Sequence, residues 1–153
     1  MQNERQIKVY IAGSSQEVSR CERAIAYAET IGLHSTLDWT GSIRNALAAG
    51  VREHELPYEE RNRLADLDLD AVRRADALVL LAPGRGTNSR GCWVELGYMI
   101  GLCHALNLRK PIFVVRVPET AYESLFEVKG TQIHATNDRH GLDLVAKMLS
   151  GVA

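Results

Sequence analysis

A single carboxylate lies in a long apolar stretch of this chain. Glu95 is the only acidic residue of the segment NSRGCWVELGYMIGL, and between Arg90 and Arg109 no other residue carries a formal charge. The segment is typical of a helix, and an ionised carboxylate within an apolar helix is costly unless it is paired, hydrogen-bonded or used in a reaction. Glu95 is therefore the first candidate for a catalytic residue.

A second candidate, Asp68, belongs to the sequence ADLDLDAV in a predicted helix over residues 59–75. When this sequence is wound at about 100° per residue, Asp68 falls within an apolar stripe, whereas Asp66 and Asp70 point to the opposite side. The stripe consists of Leu64, Leu67, Ala71, Val72 and Ala75. A carboxylate on a core-facing stripe is unusual. Asp68 therefore either makes a cap or a buried salt bridge with a nearby arginine, or serves a functional site.

The segment PGRGTNSRG lies between a predicted strand and the start of the Glu95 helix. Backbone N–H groups at a helix N-terminus can hold a phosphate, which makes Ser89 and Gly91 candidate phosphate-binding residues. The segment is not a P-loop, because it lacks the Gly-Lys-Ser/Thr ending. It is not a dinucleotide-binding fingerprint either, because Ser89 stands in the place of the third glycine.

Apolar runs and turn residues place these candidates on alternating strands and helices. Predicted strands cover residues 7–13, 33–39, 76–83, 110–117 and, more weakly, 131–135. One predicted helix follows the first strand, with Ser14 or Ser15 as its N-cap and Gly32 at its C-terminal cap, and the others cover 59–75, 88–102 and 141–151. Residues 40–57 are ambiguous and include a candidate short helix at 42–50. The alternation predicts an α/β fold, a flavodoxin-like or Rossmann-like three-layer sandwich around a five-stranded parallel sheet.

Ligands of such folds bind beyond the carboxyl ends of the strands, near the point where the strand order reverses. This rule gives weight to residues 13–20, 39–57 and 83–91. Hydroxyl and N–H groups in the first and third of these segments suit a phosphate. The candidates are Gly13, Ser14, Ser15, Arg20, Ser89 and Gly91. The alternative is that the serines only cap their helices and that the arginines, including Arg85 and Arg90, are solvated.

The composition is that of an ordinary globular protein and predicts one domain over residues 1–153. A formal net charge of −1 gives no reason to expect binding to a nucleic acid polymer or to an anionic membrane. The polar start MQNERQIK does not resemble a signal peptide, and the three cysteines are typical of reduced thiols in a cytoplasmic protein. The five histidines show no metal-ligand spacing, so we expect neither a metal nor a cofactor.

Small residues recur along the Glu95 helix. Gly97, Gly101 and Ala105 follow one another at intervals of four and would let another backbone approach closely. Because the other faces of this helix are also apolar, it is either fully buried within the subunit or part of a subunit interface. The second alternative predicts a homodimer or a higher homo-oligomer.

Three segments together resemble the nucleoside 2-deoxyribosyltransferase superfamily, which includes the 2'-deoxynucleoside 5'-phosphate N-hydrolases. They are VYIAGSS in the first strand, DLDAVRRADALVLLAP in the middle and SRGCWVELGYMIGLCHALNLRKPIFVV after it. The resemblance implies that Glu95 is the nucleophile, that Asp68 assists the leaving base and that Tyr10 hydrogen-bonds the glutamate. It also implies N-glycosidic bond cleavage in a (deoxy)nucleoside 5'-monophosphate or nucleoside, by a hydrolase or a deoxyribosyltransferase.

Ser89 departs from part of this superfamily. Deoxyribosyltransferases carry an aspartate at this position, whereas the phosphate-dependent hydrolases carry a serine that touches the 5'-phosphate. The resemblance therefore favours a nucleotide over a free nucleoside. It further implies that a neighbouring subunit completes the site with a residue from segment 118–124, for which Thr120 and Ser124 are the candidates.

Two other interpretations stand beside this one. SRGCWVEL also resembles the Ser-x-x-Cys-x-x-Glu-Leu helix of TIR domains, some of which cleave NAD with that glutamate. This resemblance implies the same class of bond in a dinucleotide, although LGYMIGLCHALNLRKPI fits the deoxyribosyltransferase pattern better. The third interpretation is a nucleotide-binding module without catalytic activity, and the presence of both Glu95 and Asp68 argues against it.

Overall fold

The computed structural model describes residues 6–151, and this part of the chain contains five strands and five α-helices. The strands, β1 to β5, are Ile7–Ala12, Leu33–Ser35, Ala77–Leu81, Ile112–Arg116 and Thr131–His134. The helices, α1 to α5, are Val18–Thr30, Thr40–Ala48, Tyr58–Arg74, Gly91–Ala105 and Asp138–Leu149. Short 3-10 helices cover Ser15–Glu17, Glu53–Glu55 and Leu125–Lys129.

All neighbouring strands are parallel, in the order β2-β1-β3-β4-β5. Parallel strands require crossover connections, and here the helices cover both faces of the sheet, with α1 against α5 and α3 against α4. The fold class predicted from the sequence, a three-layer α/β sandwich with a five-stranded parallel sheet, is confirmed. The strand order reverses between β1 and β3, so the crevice expected to hold a ligand lies at their carboxyl ends.

The central strands explain why two helical layers are needed. Every residue of β3 and β4 is buried, as the apolar runs 77–81 and 112–115 predict, and the last residue of β4, Arg116, is buried in an ion pair with Glu127. β2 and β5 lie at the two edges of the sheet and are shorter. The weak fifth strand predicted from the sequence is confirmed as β5.

The second predicted strand, residues 33–39, is wrong in its length. β2 ends at Ser35, and Trp39 then turns into the core. The indole Nε1–H of Trp39 donates to the carbonyl oxygen of Ile11 at 2.8 Å, which fixes the chain before α2 begins. The ambiguous segment 40–57 contains α2 and a 3-10 turn that returns the chain to α3.

Helix boundaries and one buried stripe also differ from the predictions. α4 begins at Gly91 rather than at residue 88. α5 begins at Asp138 rather than at residue 141, because the Asn137 side chain accepts a hydrogen bond from the His140 N–H and caps the helix. The predicted core stripe of α3 is wrong at Leu67, which is 43% exposed. No helix within residues 6–151 is both long enough and apolar enough to cross a membrane.

Candidate active site

The Tyr10 hydroxyl lies between the two carboxylates singled out in the sequence. Its Oη is 2.7 Å from Glu95 Oε1 and 3.2 Å from Asp68 Oδ1. β1 supplies Tyr10, α3 supplies Asp68 and α4 supplies Glu95, and the tyrosine is 58 and 85 residues from its two partners in sequence. The fold therefore brings the three candidate catalytic residues together.

The local sequence explains why these side chains meet. Side chains alternate along a strand, and Tyr10 faces the α3–α4 layer. Asp68 lies on the inner side of α3, whereas Asp70 lies on the outer side and forms exposed ion pairs with two arginines. Glu95 lies near the start of α4, directly after the loop that follows β3. The winding of α3 thus separates Asp68 from its neighbouring aspartates, as the sequence predicts.

Burial disfavours the charged form of both carboxyl groups. Glu95 is 9% exposed, and burial raises its pKa to about 8, with the hydrogen bond from Tyr10 opposing this rise and the charges of Asp68 and Glu53 adding to it. Burial likewise raises the pKa of Asp68 to about 6, opposed by the bond from Tyr10 and assisted by Glu53. At a pH between these two values the pair holds about one proton.

Tyr10 keeps its own proton, because burial and the two carboxylates raise its pKa well above the usual range. A phenol has one proton to donate, so it donates to one carboxylate while a protonated second carboxyl donates to the tyrosine oxygen. The arrangement Asp68–Tyr10–Glu95 is therefore a path along which one proton can pass between two carboxyls. One carboxylate can then act as a nucleophile while the other acts as an acid.

A third acidic side chain acts electrostatically on this pair, and the sequence analysis did not single it out. Glu53 lies in the 3-10 turn that follows α2, and Ser42 Oγ donates to its Oε1 at 3.3 Å. Its charge raises the pKa of both Asp68 and Glu95, so its carboxyl lies within electrostatic reach of both. In the sequence, Glu53 belongs to the charged run REHELPYEE, which has the pattern of a solvated turn.

Two loops lie together at the carboxyl ends of β1 and β3. The Gln16 side chain accepts a hydrogen bond from the Asn88 N–H at 2.9 Å, and the Glu17 carboxylate accepts one from the Gly84 N–H at 3.1 Å. These contacts hold the chain before α1 against the chain before α4. The structure thus brings together the two segments that the sequence predicts to face a phosphate.

The loop after β1 presents the first three candidate phosphate-binding residues. Ser14 is buried, and its Oγ accepts a hydrogen bond from the Gln16 N–H at 3.2 Å, whereas Ser15 is exposed. Gly13 packs so tightly against Cys21 that a Cβ would lie 2.5 Å from the sulfur. The close packing explains why only glycine fits between β1 and α1 at this position.

The loop after β3 presents the other two. Ser89 is 8% exposed, and its Oγ lies 3.0 Å from Cys92 Sγ. Gly91 is the exposed first residue of α4. Burial raises the pKa of the Cys92 thiol to about 12, so the thiol stays protonated and is a poor nucleophile.

The Arg20 guanidinium donates hydrogen bonds to groups of the protein itself. Its Nε and Nη2 each donate to the Asp138 carboxylate at 2.8 Å. Its Nη1 donates to the Ala82 carbonyl oxygen at 2.9 Å and to the Glu17 carboxylate at 3.3 Å. In this structure the guanidinium therefore ties α1 to α5 and to the end of β3, and it does not present these donors to an anion.

Residues 118–124, which the family resemblance assigns to the site of a neighbouring subunit, pack beside the loop after β3. Thr120 pairs through its backbone with Gly84, and its Oγ1 donates to a carbonyl oxygen at 2.8 Å. Ser124 caps the following 3-10 helix, where its Oγ accepts an N–H at 3.2 Å. Both hydroxyls thus have partners within their own subunit, at the margin of the candidate site.

The site is built from carboxyl, hydroxyl and backbone groups. Within residues 6–151, no three or more histidine, cysteine, aspartate or glutamate side chains are placed to hold a metal ion. Cys21 and Cys92 are buried and Cys103 is partly buried, all three as free thiols.

No protein-family model matches the chain, and no curated protein matches it in sequence. The chain is similar in structure to the Clostridium botulinum CMP N-glycosidase, BcmB, with a TM-score of 0.55 over 90% of this chain and 97% of that chain. The two sequences are 17% identical, so the likeness shows the fold. This likeness agrees with the α/β fold that the sequence resemblance implies.

The raised pKa of Glu95 predicts how stability depends on pH. The folded protein holds the Glu95 proton up to about pH 8, whereas the ordinary pKa of a glutamate side chain is 4.5, so the stability that this proton confers is complete below pH 4.5 and is lost as the pH rises towards 8. Glu95→Gln removes the titrating group. The Tm of Glu95→Gln minus that of the wild type should therefore be larger at pH 8 than at pH 5, by roughly 10 °C.

Scanning calorimetry of both proteins at the two pH values measures this difference. Glu59→Gln is the matched control, because Glu59 is exposed at the start of α3 and should show the same Tm difference at both pH values. A Glu95→Gln difference that does not change with pH would show that Glu95 is ionised in the folded protein throughout this range.

Proposed function

We propose that the protein hydrolyses the N-glycosidic bond of a nucleoside 5'-monophosphate, with Glu95 as the nucleophile. The observation that carries the proposal is the buried Glu95 carboxyl, joined through the Tyr10 hydroxyl to Asp68 beside the reversal point of the sheet. Retaining glycosidases use a carboxyl pair to stabilise an oxocarbenium-like transition state and to protonate the leaving group. The likeness in fold to a CMP N-glycosidase supports the same class of reaction.

The reaction takes two steps on these residues. In the first, the C1'–N bond breaks with its electron pair leaving on the base, a Glu95 oxygen bonds to C1', and Asp68 donates a proton to the base. In the second, water attacks C1', Asp68 takes a proton from it, and Glu95 leaves as a carboxylate. Tyr10 orients Glu95 and passes the single proton of the pair to Asp68 before the base departs.

The 5'-phosphate is proposed to bind where the segments before α1 and α4 meet. Ser14, Ser15 and Ser89 supply hydroxyl groups there, and Gly13 and Gly91 supply backbone N–H groups. The hydrogen bonds between the two segments support this position, because they hold both sets of donors in one place. A helix N-terminus favours a bound anion through its free N–H groups and its dipole. Arg20 does not face the phosphate in this proposal. It stabilises the segment before α1 through its hydrogen bonds to Asp138.

We also propose that two subunits associate through α4. Gly97 and Gly101 are exposed on this helix with open space beside them, and Val94 on the same face is 62% exposed. This face carries no formal charge, so two copies can pack about a two-fold axis without burying one.

The apolar surface continues beyond α4. The helix contacts the 3-10 segment Leu125–Lys129, where Leu125 is 81%, Phe126 58% and Val128 72% exposed. Exposed apolar side chains in a continuous patch mark an interaction surface. Because residues 118–124 adjoin this patch, Thr120 and Ser124 are the proposed contacts to the partner's substrate.

Substitutions of the carboxyl pair test the roles of its members. Glu95→Gln should reduce base release at least about a thousandfold, because an amide neither stabilises nor traps the sugar cation. Asp68→Asn should slow the release of poor leaving bases about a hundredfold and that of good ones much less, since only the former need protonation.

The released base is measured by chromatography, with Asp66→Asn on the outer side of α3 as the matched control. Near wild-type turnover by Glu95→Gln would refute the assignment of the nucleophile. An equal effect of Asp68→Asn on every leaving base would make Asp68 a structural residue.

A panel of nucleosides, nucleoside 5'-monophosphates and NAD tests the substrate class. Monophosphates should be hydrolysed to base and sugar phosphate faster than the matching nucleosides, and Ser89→Ala should remove most of that advantage while leaving any nucleoside reaction nearly unchanged. Nicotinamide release from NAD with intact monophosphates would instead support the TIR-like interpretation. Preference for nucleosides with an acceptor base would support a deoxyribosyltransferase, and binding without turnover would support a non-catalytic module.

Gly101→Leu tests the subunit interface. The side chain fits the isolated subunit, because nothing lies within 4 Å of a Cβ at this position. The substitution should therefore convert a dimer into monomers and lower activity in proportion, as measured by light scattering and base release. Gly41→Leu on α2, where a Cβ also meets nothing within 4 Å, is the control. A wild-type monomer at micromolar concentration would rule out this interface.

A further inference from the structure

We propose that Glu53 selects the leaving base by accepting a hydrogen bond from an exocyclic amino group. The preferred substrates would then carry amino-bearing bases, in contrast to bases with an oxo group at the same position. This inference rests on the proposed function, because it places a nucleobase beside Asp68. It concerns a residue of segment 39–57, which the strand-end rule favours as a ligand-binding segment although the sequence pattern singles out no residue in it.

Hydrogen bonds tie Glu53 to the core beside β1, the strand that carries Tyr10. Trp39 is anchored in the core by its bond to the Ile11 carbonyl oxygen, and α2 starts directly after it. Ser42 Oγ, in the first turn of α2, lies 2.8 Å from the Trp39 carbonyl oxygen and 3.3 Å from Glu53 Oε1, and these two acceptors share its single hydroxyl proton. The Glu53 carboxyl is thus linked to the core through two short hydrogen-bonded steps.

One oxygen of this carboxyl is available to a ligand. Ser42 occupies Oε1, and no residue among those described donates to Oε2. Glu53 is partly exposed, so a ligand can reach it. Its charge also raises the pKa of Asp68, so Glu53 lies on the side of the site where the proposed reaction places the leaving base.

The chemistry of Oε2 distinguishes two kinds of base. A carboxylate oxygen accepts hydrogen bonds, so it favours the N4 amino group of cytosine or the N6 amino group of adenine. The oxo groups of uracil and hypoxanthine at the same positions are acceptors as well, and they would face the carboxylate with an unfavourable contact. A buried polar group left without its partner discriminates strongly between such analogues.

Binding of CMP against UMP and of AMP against IMP measures this selection without turnover. In the Glu95→Gln background, calorimetry should show that the protein binds the amino-bearing nucleotide of the pair (CMP or AMP) at least about tenfold more tightly than its oxo analogue. Adding Glu53→Gln should bring that ratio close to one, because an amide offers both a donor and an acceptor. Adding Glu59→Gln, an equal change at an exposed glutamate of the neighbouring helix, should leave the ratio as it was.

A ratio that Glu53→Gln does not change, a preference for the oxo members, or no binding of either pair would overturn the inference. Failure of the proposed function gives a different result, namely no base release by the wild type from any monophosphate or nucleoside. Selection that depends on Glu53 in the binding experiment would stand even then, as selection of a bound nucleotide. Base release without such selection would leave the proposed reaction intact and remove the role of Glu53.

Discussion

The burial of Glu95 against Tyr10 is the constraint on which the candidate site depends. An acidic side chain is held at 9% exposure, and the hydrogen bond from the Tyr10 hydroxyl is the interaction that opposes the resulting rise in its pKa. Tyr10 can reach Glu95 only because β1 lies next to β3, whose following loop leads into α4. Asp68 reaches the Tyr10 hydroxyl from α3. The relative positions of one strand and two helices therefore determine the distances among these three side chains.

The same constraint separates the reacting end of the site from the proposed phosphate end. Glu95 sits a short way into α4, whereas Ser89 and Gly91 lie at its start, beside the loop after β1. A rigid helix therefore fixes the spacing between the proposed nucleophile and the proposed phosphate site. Arg20 contributes without touching either, because its bonds to Asp138 and to the end of β3 hold the first loop in place.

The sequence predicts those parts of the site that have a recognisable local sequence pattern. Glu95 and Asp68 stand out because each is acidic within an apolar pattern, and the central strands stand out because residues 77–81 and 112–115 are continuous apolar runs. No local pattern singles out Tyr10, which is identified only through the family resemblance. The partner of Arg20 lies 118 residues away in sequence, and Glu53 resembles a solvated charge, so neither can be read from local patterns.

The exposed apolar surface beside the site follows from the same design of α4. The inner side of this helix packs on the sheet and carries Glu95, and its outer side presents Val94 and two glycines to solvent. A helix that is apolar on every face has no face whose exposure to water is favourable. Any movement of α4 shifts Glu95 relative to Tyr10, because Glu95 and the outer face of the helix belong to one rigid element. A subunit packed on the outer side would therefore act on the carboxyl pair through the position of the helix, whether or not it also reaches the substrate.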